Sequence, residues 1–211
     1  MVAPSKPLGE HAKIHFVCTG NICRSPFCEL YLRSLMGDTN IFDLSSSGLF
    51  VLEPRGAAEN MKPLISQHIK STIVTHVSRQ TDFEDIVNQD LVITMTRDQR
   101  LSILDEAPRL MNRVFVLLEM PRLIEVANTV ENLQVLRGLT QGERVRAFAR
   151  IMSTSRSLVE MPAKAESDDV ADPYGKSFSH YENSVQQMLP ALNDVARTLL
   201  DLAALASKDE T

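Results

Sequence analysis

The stretch KIHFVCTGNICRSPF, residues 13–27, decides the fold. Its first part, Lys13–Cys18, is a short apolar run with β-branched side chains, which predicts a buried strand. Ser25 and Pro26 predict the start of a helix, with Ser25 as the N-cap and Pro26 at the first helical position. The residues between contain glycine and asparagine, which suit a tight turn. We therefore expect a strand, a tight loop and a helix N-terminus in direct succession.

The same alternation of strands and helices continues along the chain. Further strands are predicted at Phe42–Ser47, Asp90–Met95 and Asn112–Leu118, and helices at Met61–Lys70 and Arg97–Glu106. Strands that alternate with helices favour right-handed crossovers and a parallel sheet. The predicted fold class is therefore α/β, with a four-stranded parallel sheet and helices on both faces, as in flavodoxin-like folds.

Residues 119–168 depart from this alternation. Their apolar side chains recur at helical spacing, which predicts a helical insertion, and a last helix is predicted at Tyr181–Ala206. We interpret the arginines of the insertion as a solvated face, with a cover for the active site or a partner surface as alternatives; they are Arg122, Arg137, Arg144, Arg146, Arg150 and Arg156. The whole chain, 1–211, is expected to form one domain with a short disordered tail at 1–12.

Composition and charge argue against several classes of function. The formal net charge of −5 argues against a broad nucleic-acid surface. No apolar run approaches the roughly 18 residues that a membrane span needs, and the first residues lack the apolar region of a secretory signal. Three cysteines within one short stretch indicate reduced thiols, and their spacing fits no common zinc site. We expect a cytoplasmic protein with no metal or other cofactor and no nucleic-acid or membrane partner.

The loop after the first strand can bind a tetrahedral oxyanion. Several backbone N–H groups of a strand-to-helix loop can point into one concavity, and the helix dipole adds positive potential there. Gly20 permits a positive φ, and Asn21 tolerates the left-handed region. The candidate phosphate-binding residues are those of the loop: Thr19, Gly20, Asn21, Ile22, Cys23 and Arg24.

Cys18 is the candidate nucleophile at the base of this loop. The helix N-terminus and a nearby arginine favour its thiolate form, which can attack phosphorus in line. The planar fork of Arg24 can hold two phosphoryl oxygens into the transition state. The Ser25 hydroxyl is placed to hydrogen-bond the thiolate. A buried structural cysteine in a turn is the alternative, but the strand, Ser-Pro pair and helix around it favour catalysis.

The segment FVCTGNICRSP resembles the signature V-C-x-G-N-x-C-R-S-P of the low molecular weight protein tyrosine phosphatases. The resemblance extends over about Lys13–Leu118 and Val170–Leu200. It implies the phosphotyrosine phosphatase I-like fold and hydrolysis of protein phosphotyrosine. It also implies that Cys18 forms a phosphocysteine intermediate while Arg24 binds the phosphoryl group.

The resemblance implies further site residues. Asp172, in VADPYGKS, corresponds to the family's general acid, which then activates water, and Tyr174 would stack on the substrate ring. His76, in THVSRQ, would hydrogen-bond Asn21 and support the loop. Ser47, in SSSGL, would brace the same loop. Cys23 would form a reversible disulfide with the nucleophile, whereas Cys28 is interpreted as packing.

The chain also departs from the family pattern. The insertion separates Asp172 from the fourth strand, Thr96 stands where the family often has aspartate, and Leu49 stands where it usually has threonine. The physiological substrate, the role of the insertion and the oligomeric state stay open.

Three other functions are considered. An arsenate reductase of this fold needs two more cysteines further along the chain, and none follows Cys28. A phosphoarginine phosphatase would carry threonine at the position of Ile22, where isoleucine suits an aromatic ring better. A non-catalytic phosphate-binding module would not need Cys18, Arg24 and Asp172 together. We therefore favour a phosphotyrosine-containing protein as the substrate.

Overall fold

The computed structural model describes residues 11–37, 41–69, 76–160 and 162–205. Four parallel strands form one sheet in the order β2-β1-β3-β4: β1 is Ala12–Cys18, β2 is Phe42–Gly48, β3 is Leu91–Thr94 and β4 is Val114–Val116. This confirms the predicted α/β fold class, although β3 and β4 are shorter than expected. The predicted disordered tail lies outside the described residues except at its end, where Ala12 begins β1.

Eight α-helices occur within the described ranges. They are α1 (Arg24–Met36), α2 (Lys62–His68), α3 (Phe83–Ile86), α4 (Arg97–Glu106), α5 (Met120–Ala127), α6 (Val130–Val135), α7 (Gln141–Thr154) and α8 (Phe178–Ala204). Short 3-10 turns lie at Glu59–Met61, Pro108–Leu110, Leu117–Glu119, Ser155–Leu158 and Ala165–Asp168. None of these helices is long and apolar enough to cross a membrane. The predicted ends at Lys70 and Ala206 lie outside the described residues.

The strands β3 and β4 are buried on both faces. Side chains alternate across a strand, so Ile93 and Phe115 point to one face while Val92 and Val114 point to the other. The first face packs against α1, α5, α7 and α8, and the second packs against α3 and α4. Helices on both faces of a parallel sheet are the arrangement expected for strands that are apolar along their length.

The strand register places the candidate nucleophile at the edge of the sheet. Cys18, the last residue of β1, lies opposite Gly48 of β2, and the preceding residue Val17 lies opposite Thr94 of β3. All three strands therefore end at the same level. In open parallel sheets this carboxyl edge is where ligands bind.

The start of α1 differs from the prediction. The helix begins at Arg24 with Cys23 as its N-cap, so Ser25 already lies inside the first turn. The Ser25 hydroxyl does not cap the helix; it donates to the sulfur of Cys18 instead. The hydroxyl that the sequence pattern assigns to capping thus donates to the buried sulfur at the end of β1.

The insertion is helical, as predicted, but only three of its six arginines, Arg137, Arg146 and Arg150, are exposed as a solvated face requires. Arg144 is buried and donates to the carbonyl of Leu202, and Arg122 and Arg156 pair with Asp168 and Glu119. Long arginine stems can pack against apolar surface while the guanidinium reaches an acceptor. The Arg144 contact attaches the insertion to α8, whereas the other two pairs join parts of the insertion to each other.

Two leucines of α8 that differ in exposure give a test of this packing. Leu192 is fully buried, whereas Leu200 is 39% exposed on the same helix. We expect Leu192→Ala to lower the free energy of unfolding by about 2–5 kcal/mol, because a cavity remains in the core. Leu200→Ala is the matched control and should cost less than about 1 kcal/mol. Urea denaturation measures both, and equal losses would contradict this orientation of α8.

Candidate active site

A cavity of about 190 Å³ opens at the carboxyl edge of the sheet. Its walls come from the loop after β1, the segment after β2 and the segment before α8. The residues around it are Cys18, Thr19, Gly20, Ile22, Cys23, Arg24, Phe50, Val51, Leu52, Glu53, Arg55, Asp172 and Tyr174. Of the predicted site residues, the cavity therefore brings together the nucleophile, most of the phosphate loop, the general acid and the substrate-stacking tyrosine.

Two hydrogen-bond donors point at the sulfur of Cys18. The backbone N–H of Asn21 donates to Sγ at 3.2 Å, and the Ser25 hydroxyl donates to it at 3.0 Å. Donors stabilise a negatively charged sulfur more than a neutral thiol. The residue is only 2% exposed, so the ion would meet these donors rather than bulk water.

Asn21 holds the loop in its shape. Its backbone has φ 53°, the left-handed conformation that asparagine tolerates. Its side-chain Nδ2 donates to the hydroxyls of Ser25 and Ser46, and its Oδ1 accepts the backbone N–H of Arg79. Its carbonyl accepts from Nε2 of His76 at 2.6 Å, so that ring nitrogen carries the proton. The contact implied for His76 is thus present in the structure.

The end of β2 lies directly behind the loop. A Cβ atom at Gly48 would stand 2.7 Å from the carbonyl oxygen of Thr19 and 2.9 Å from the backbone nitrogen of Asn21. The backbone N–H groups of Leu49 and Phe50 donate to the carbonyls of Cys18 and Thr19. Only a glycine lets the two backbones approach this closely.

Ser47 contacts the loop through its backbone carbonyl and not through its hydroxyl. Its hydroxyl bonds to Nε2 of His15 and to Thr81, and only its carbonyl reaches the loop, by accepting from Ser25 at 3.3 Å. Burial, and then the charge of Arg79, lower the pKa of His15 to about 3, so this ring is neutral near pH 7. Ser47 therefore belongs to a neutral polar network behind the loop.

Arg24 lines the same cavity as Cys18 and is almost fully buried. Its Nη2 is 2.7 Å from Oδ2 of Asp172, and its Nη1 donates to the carbonyl of Val170 at 3.1 Å. Its Nε is buried and has no hydrogen-bond partner within the described part of the chain. A buried donor without an acceptor is costly, so an oxyanion at this place would be stabilised.

Asp172 and Tyr174 form the outer wall. The Asp172 side chain is 49% exposed, and its Oδ1 accepts the backbone N–H of Tyr174 at 3.1 Å. The guanidinium of Arg55 donates to the Tyr174 hydroxyl at 3.0 Å and lies over its ring at 5.4 Å. The carboxylate is thus oriented toward the cavity while it stays in contact with solvent.

The other two cysteines are free thiols in different surroundings. Burial, with the nearby charges of Cys18 and Asp172, raises the pKa of Cys23 to about 12, so this thiol stays protonated near pH 7. Cys28 is fully buried between the sulfurs of Met95 and Met188, and burial raises its pKa as well. Within the described ranges, no group of three or more His, Cys, Asp or Glu side chains is arranged to hold a metal ion.

Sequence reasoning missed three residues that support the loop. Ser46 and Arg79 contact Asn21, and Nε2 of Gln99 donates to the Thr19 hydroxyl at 3.1 Å. Arg79 lies in the THVSRQ segment, so a signal for it existed. Thr96, where the family often has aspartate, is the N-cap of α4 and forms a capping box with Gln99. Nothing in the local pattern connects Gln99 with the loop.

Comparison with known proteins identifies the class. The family described as low molecular weight phosphotyrosine protein phosphatase matches residues 13–131, more than half of the chain. A protein-arginine-phosphatase of Bacillus subtilis is 34% identical over 109 residues, which cover 50% of this chain and 70% of the relative. A low molecular weight protein-tyrosine-phosphatase of Staphylococcus aureus is 31% identical over 107 residues, or 51% and 72% of the two chains.

The chain therefore belongs to the low molecular weight phosphotyrosine protein phosphatase family and is a phosphatase. Solved structures share its fold. An arginine phosphatase from Geobacillus stearothermophilus aligns with a TM-score of 0.61, covering 90% of this chain and 94% of that one at 20% identity. A low molecular weight protein tyrosine phosphatase from T. tengcongensis gives 0.61, with 89% and 99% covered at 20% identity. The family match contains Cys18 and Arg24 and ends before Asp172.

The close approach at Gly48 gives a test of the loop geometry. We expect Gly48→Ala to weaken vanadate binding by about 10- to 100-fold, because the added methyl group must displace the backbone of the phosphate loop. Gly56→Ala is the control, since its Cβ would meet only the carbonyl of His76 at an ordinary 3.7 Å. Isothermal titration calorimetry measures both affinities. Unchanged vanadate binding by Gly48→Ala would contradict the constraint.

Proposed function

We propose that this phosphatase hydrolyses phosphotyrosine in proteins through a phosphocysteine intermediate on Cys18. The observation that carries the proposal is the pair of donors on the Cys18 sulfur, at 3.2 and 3.0 Å, with the Arg24 guanidinium and the Asp172 carboxylate beside it. This arrangement supplies a nucleophile, a cation for the phosphoryl group and a proton donor within one cavity.

The first step transfers the phosphoryl group to sulfur. The Cys18 thiolate attacks phosphorus and forms the S–P bond, while the bond between phosphorus and the phenolic oxygen breaks. The electron pair of that bond goes to the oxygen, and protonated Asp172 supplies its proton, so tyrosine leaves as a neutral phenol. Backbone N–H groups of the loop and Arg24 stabilise the equatorial oxygens.

The second step hydrolyses the intermediate. The Asp172 carboxylate takes a proton from water, and the water oxygen attacks phosphorus as the S–P bond breaks. Cys18 leaves as a thiolate, which accepts the hydrogen bonds of Asn21 and Ser25. Phosphate is released, and Asp172 is again protonated for the next cycle. The balance of the reaction needs no metal or other cofactor.

The walls of the cavity favour an aromatic substrate. Ile22 lines one side, and Phe50 and Tyr174 are exposed at the mouth, where they can contact a phenyl ring. Phosphoarginine is the second candidate, because a protein-arginine-phosphatase is among the relatives and Glu53 in the wall could meet a guanidinium. We favour phosphotyrosine, because isoleucine at position 22 packs better against a ring.

The proposal extends to the rest of the chain. We place all 211 residues in one phosphatase domain, with residues 119–168 as an insertion. The three thiols are free, which suits a cytoplasmic location. A protein substrate is the proposed partner, rather than nucleic acid or a membrane. Cys23 is the proposed redox partner of Cys18, because the two residues line the same cavity.

Removal of the nucleophile tests the reaction. We expect Cys18→Ser to reduce hydrolysis of p-nitrophenyl phosphate, assayed in EDTA, by at least about 1,000-fold, because the hydroxyl is a far weaker nucleophile than the thiolate. Cys28→Ser is the control and should keep substantial activity once its folding has been checked by circular dichroism. Full activity of Cys18→Ser would refute the mechanism. A wild-type protein that binds phosphate but does not hydrolyse p-nitrophenyl phosphate would instead be a binding module.

A comparison of two phosphopeptides tests the substrate class. Peptides of the same sequence that carry phosphotyrosine or phosphoarginine should differ in kcat/KM by at least about tenfold in favour of phosphotyrosine. Ile22→Thr should shift that ratio toward phosphoarginine, because a smaller polar side chain no longer packs against the ring. Preference of the wild-type protein for phosphoarginine would instead support the second candidate. Phosphate release from each peptide is the measurement.

A further inference from the structure

The segment before Asp172 is attached to a different element at nearly every residue. Asp168 accepts two hydrogen bonds from Arg122 of α5, at 2.8 and 2.6 Å. Oδ1 of Asp169 accepts the backbone N–H of Arg97, the first residue of α4, at 2.8 Å. The chain that leads to the carboxylate is therefore bonded to two helices before it reaches the cavity.

The next two residues continue this attachment. The backbone N–H of Val170 donates to the carbonyl of Met95 at 2.8 Å, and its carbonyl accepts from Arg24. The backbone N–H of Ala171 donates to Oε1 of Gln187 in α8 at 3.0 Å. Residues 168–171 thus run along the carboxyl edge of the sheet and deliver the next side chain, Asp172, to the guanidinium of Arg24.

The Arg122–Asp168 pair is the first of these attachments, and it joins two charged side chains. It joins the start of the insertion to its end, across 46 residues of sequence. The pair is bidentate, and the Asp168 side chain is only 6% exposed while that of Arg122 is 26% exposed. The hydrogen bond to Asp168 also raises the pKa of Arg122. A bidentate pair between arginine and a buried carboxylate constrains both distance and angle.

We infer that Arg122 is a positioning residue for Asp172: by holding Asp168, it brings the chain back from the insertion in the register that places the acid over Cys18. The inference rests on the proposed role of Asp172 as general acid. Without the pair, a buried carboxylate loses its cation, and residues 168–171 shift toward solvent to rehydrate it. The Asp172 carboxylate then lies away from the leaving oxygen.

A purely structural role for Arg122 makes a different prediction, because it affects folding and not the transfer of the proton. The chain offers a matched control for this. Arg146 of α7 also pairs an insertion side chain with a core aspartate, Asp90, at 3.0 Å, and the Asp90 side chain is likewise 6% exposed. Neither Arg122 nor Arg146 lines the cavity around Cys18. Arg146→Gln therefore perturbs the insertion without touching the segment before Asp172.

The test measures how strongly the reaction depends on its leaving group. Tyrosine-like phenols have a pKa of about 10 and need a proton to leave, whereas p-nitrophenol is far more acidic and needs it less. For each variant, kcat/KM for p-nitrophenyl phosphate is divided by kcat/KM for phenyl phosphate. We expect Arg122→Gln to raise this ratio about tenfold over the wild-type protein, and Arg146→Gln to leave it unchanged. Arg122→Lys keeps the charge but loses the planar guanidinium, so its ratio should lie between those of the wild-type protein and Arg122→Gln.

Asp172→Ala is the reference and should raise the same ratio by about 100-fold. If it does and Arg122→Gln does not, the inference is wrong while the proposed mechanism stands. If Asp172→Ala leaves the ratio unchanged, the acid is misassigned and the inference is overturned with it. Should Arg122→Gln fail to fold, the double variant Arg122→Met/Asp168→Leu removes both charges and avoids an unpaired buried carboxylate. An unchanged ratio in that folded double variant would also overturn the inference.

Discussion

The hydrogen bonds to the sulfur of Cys18 are the interaction on which the rest of the site depends. β1 ends at Cys18 and α1 begins at Arg24, so only residues 19–23 connect them. This short loop curves around the sulfur, and its N–H groups therefore lie close to it. Asn21 fixes that curl from inside, and the glycine end of β2 fixes it from behind. The strand register, the loop and the helix start are therefore three aspects of one arrangement that keeps donors in place before any ligand binds.

The local parts of this arrangement could be predicted from the sequence. A short apolar run, a turn and a helix start are contiguous, so periodicity and turn chemistry are sufficient to recognise them. The prediction failed where a local rule competes with a buried neighbour. Ser25 is a residue type that favours the N-cap, but its hydroxyl donates to the sulfur of Cys18, and the helix begins two residues before the predicted Pro26.

The long-range support of the site could not be read in the same way. Ser46 and Arg79 reach the loop from other elements, and the pairing of strands decides which serine of β2 points toward it. The arginines of the insertion show a similar limit. Hydrophobic periodicity distinguishes an apolar stripe from a charged one, but it contains no information on the carbonyl or carboxylate that a guanidinium meets, as Arg144 and Leu202 illustrate.

The contact between Arg24 and Asp172 couples binding of the phosphoryl group to movement of the Asp172 side chain. One guanidinium nitrogen, Nη2, bonds to the carboxylate at 2.7 Å, and in the proposed mechanism the same guanidinium binds the phosphoryl group. A dianion that binds to this fork takes the place of the carboxylate and repels it, because both are negative. In the proposed mechanism, this repulsion frees the Asp172 side chain to turn toward the departing oxygen. In the proposed mechanism, arrival of the substrate therefore releases the Asp172 side chain from Arg24, whereas in the empty site the ion pair restrains it.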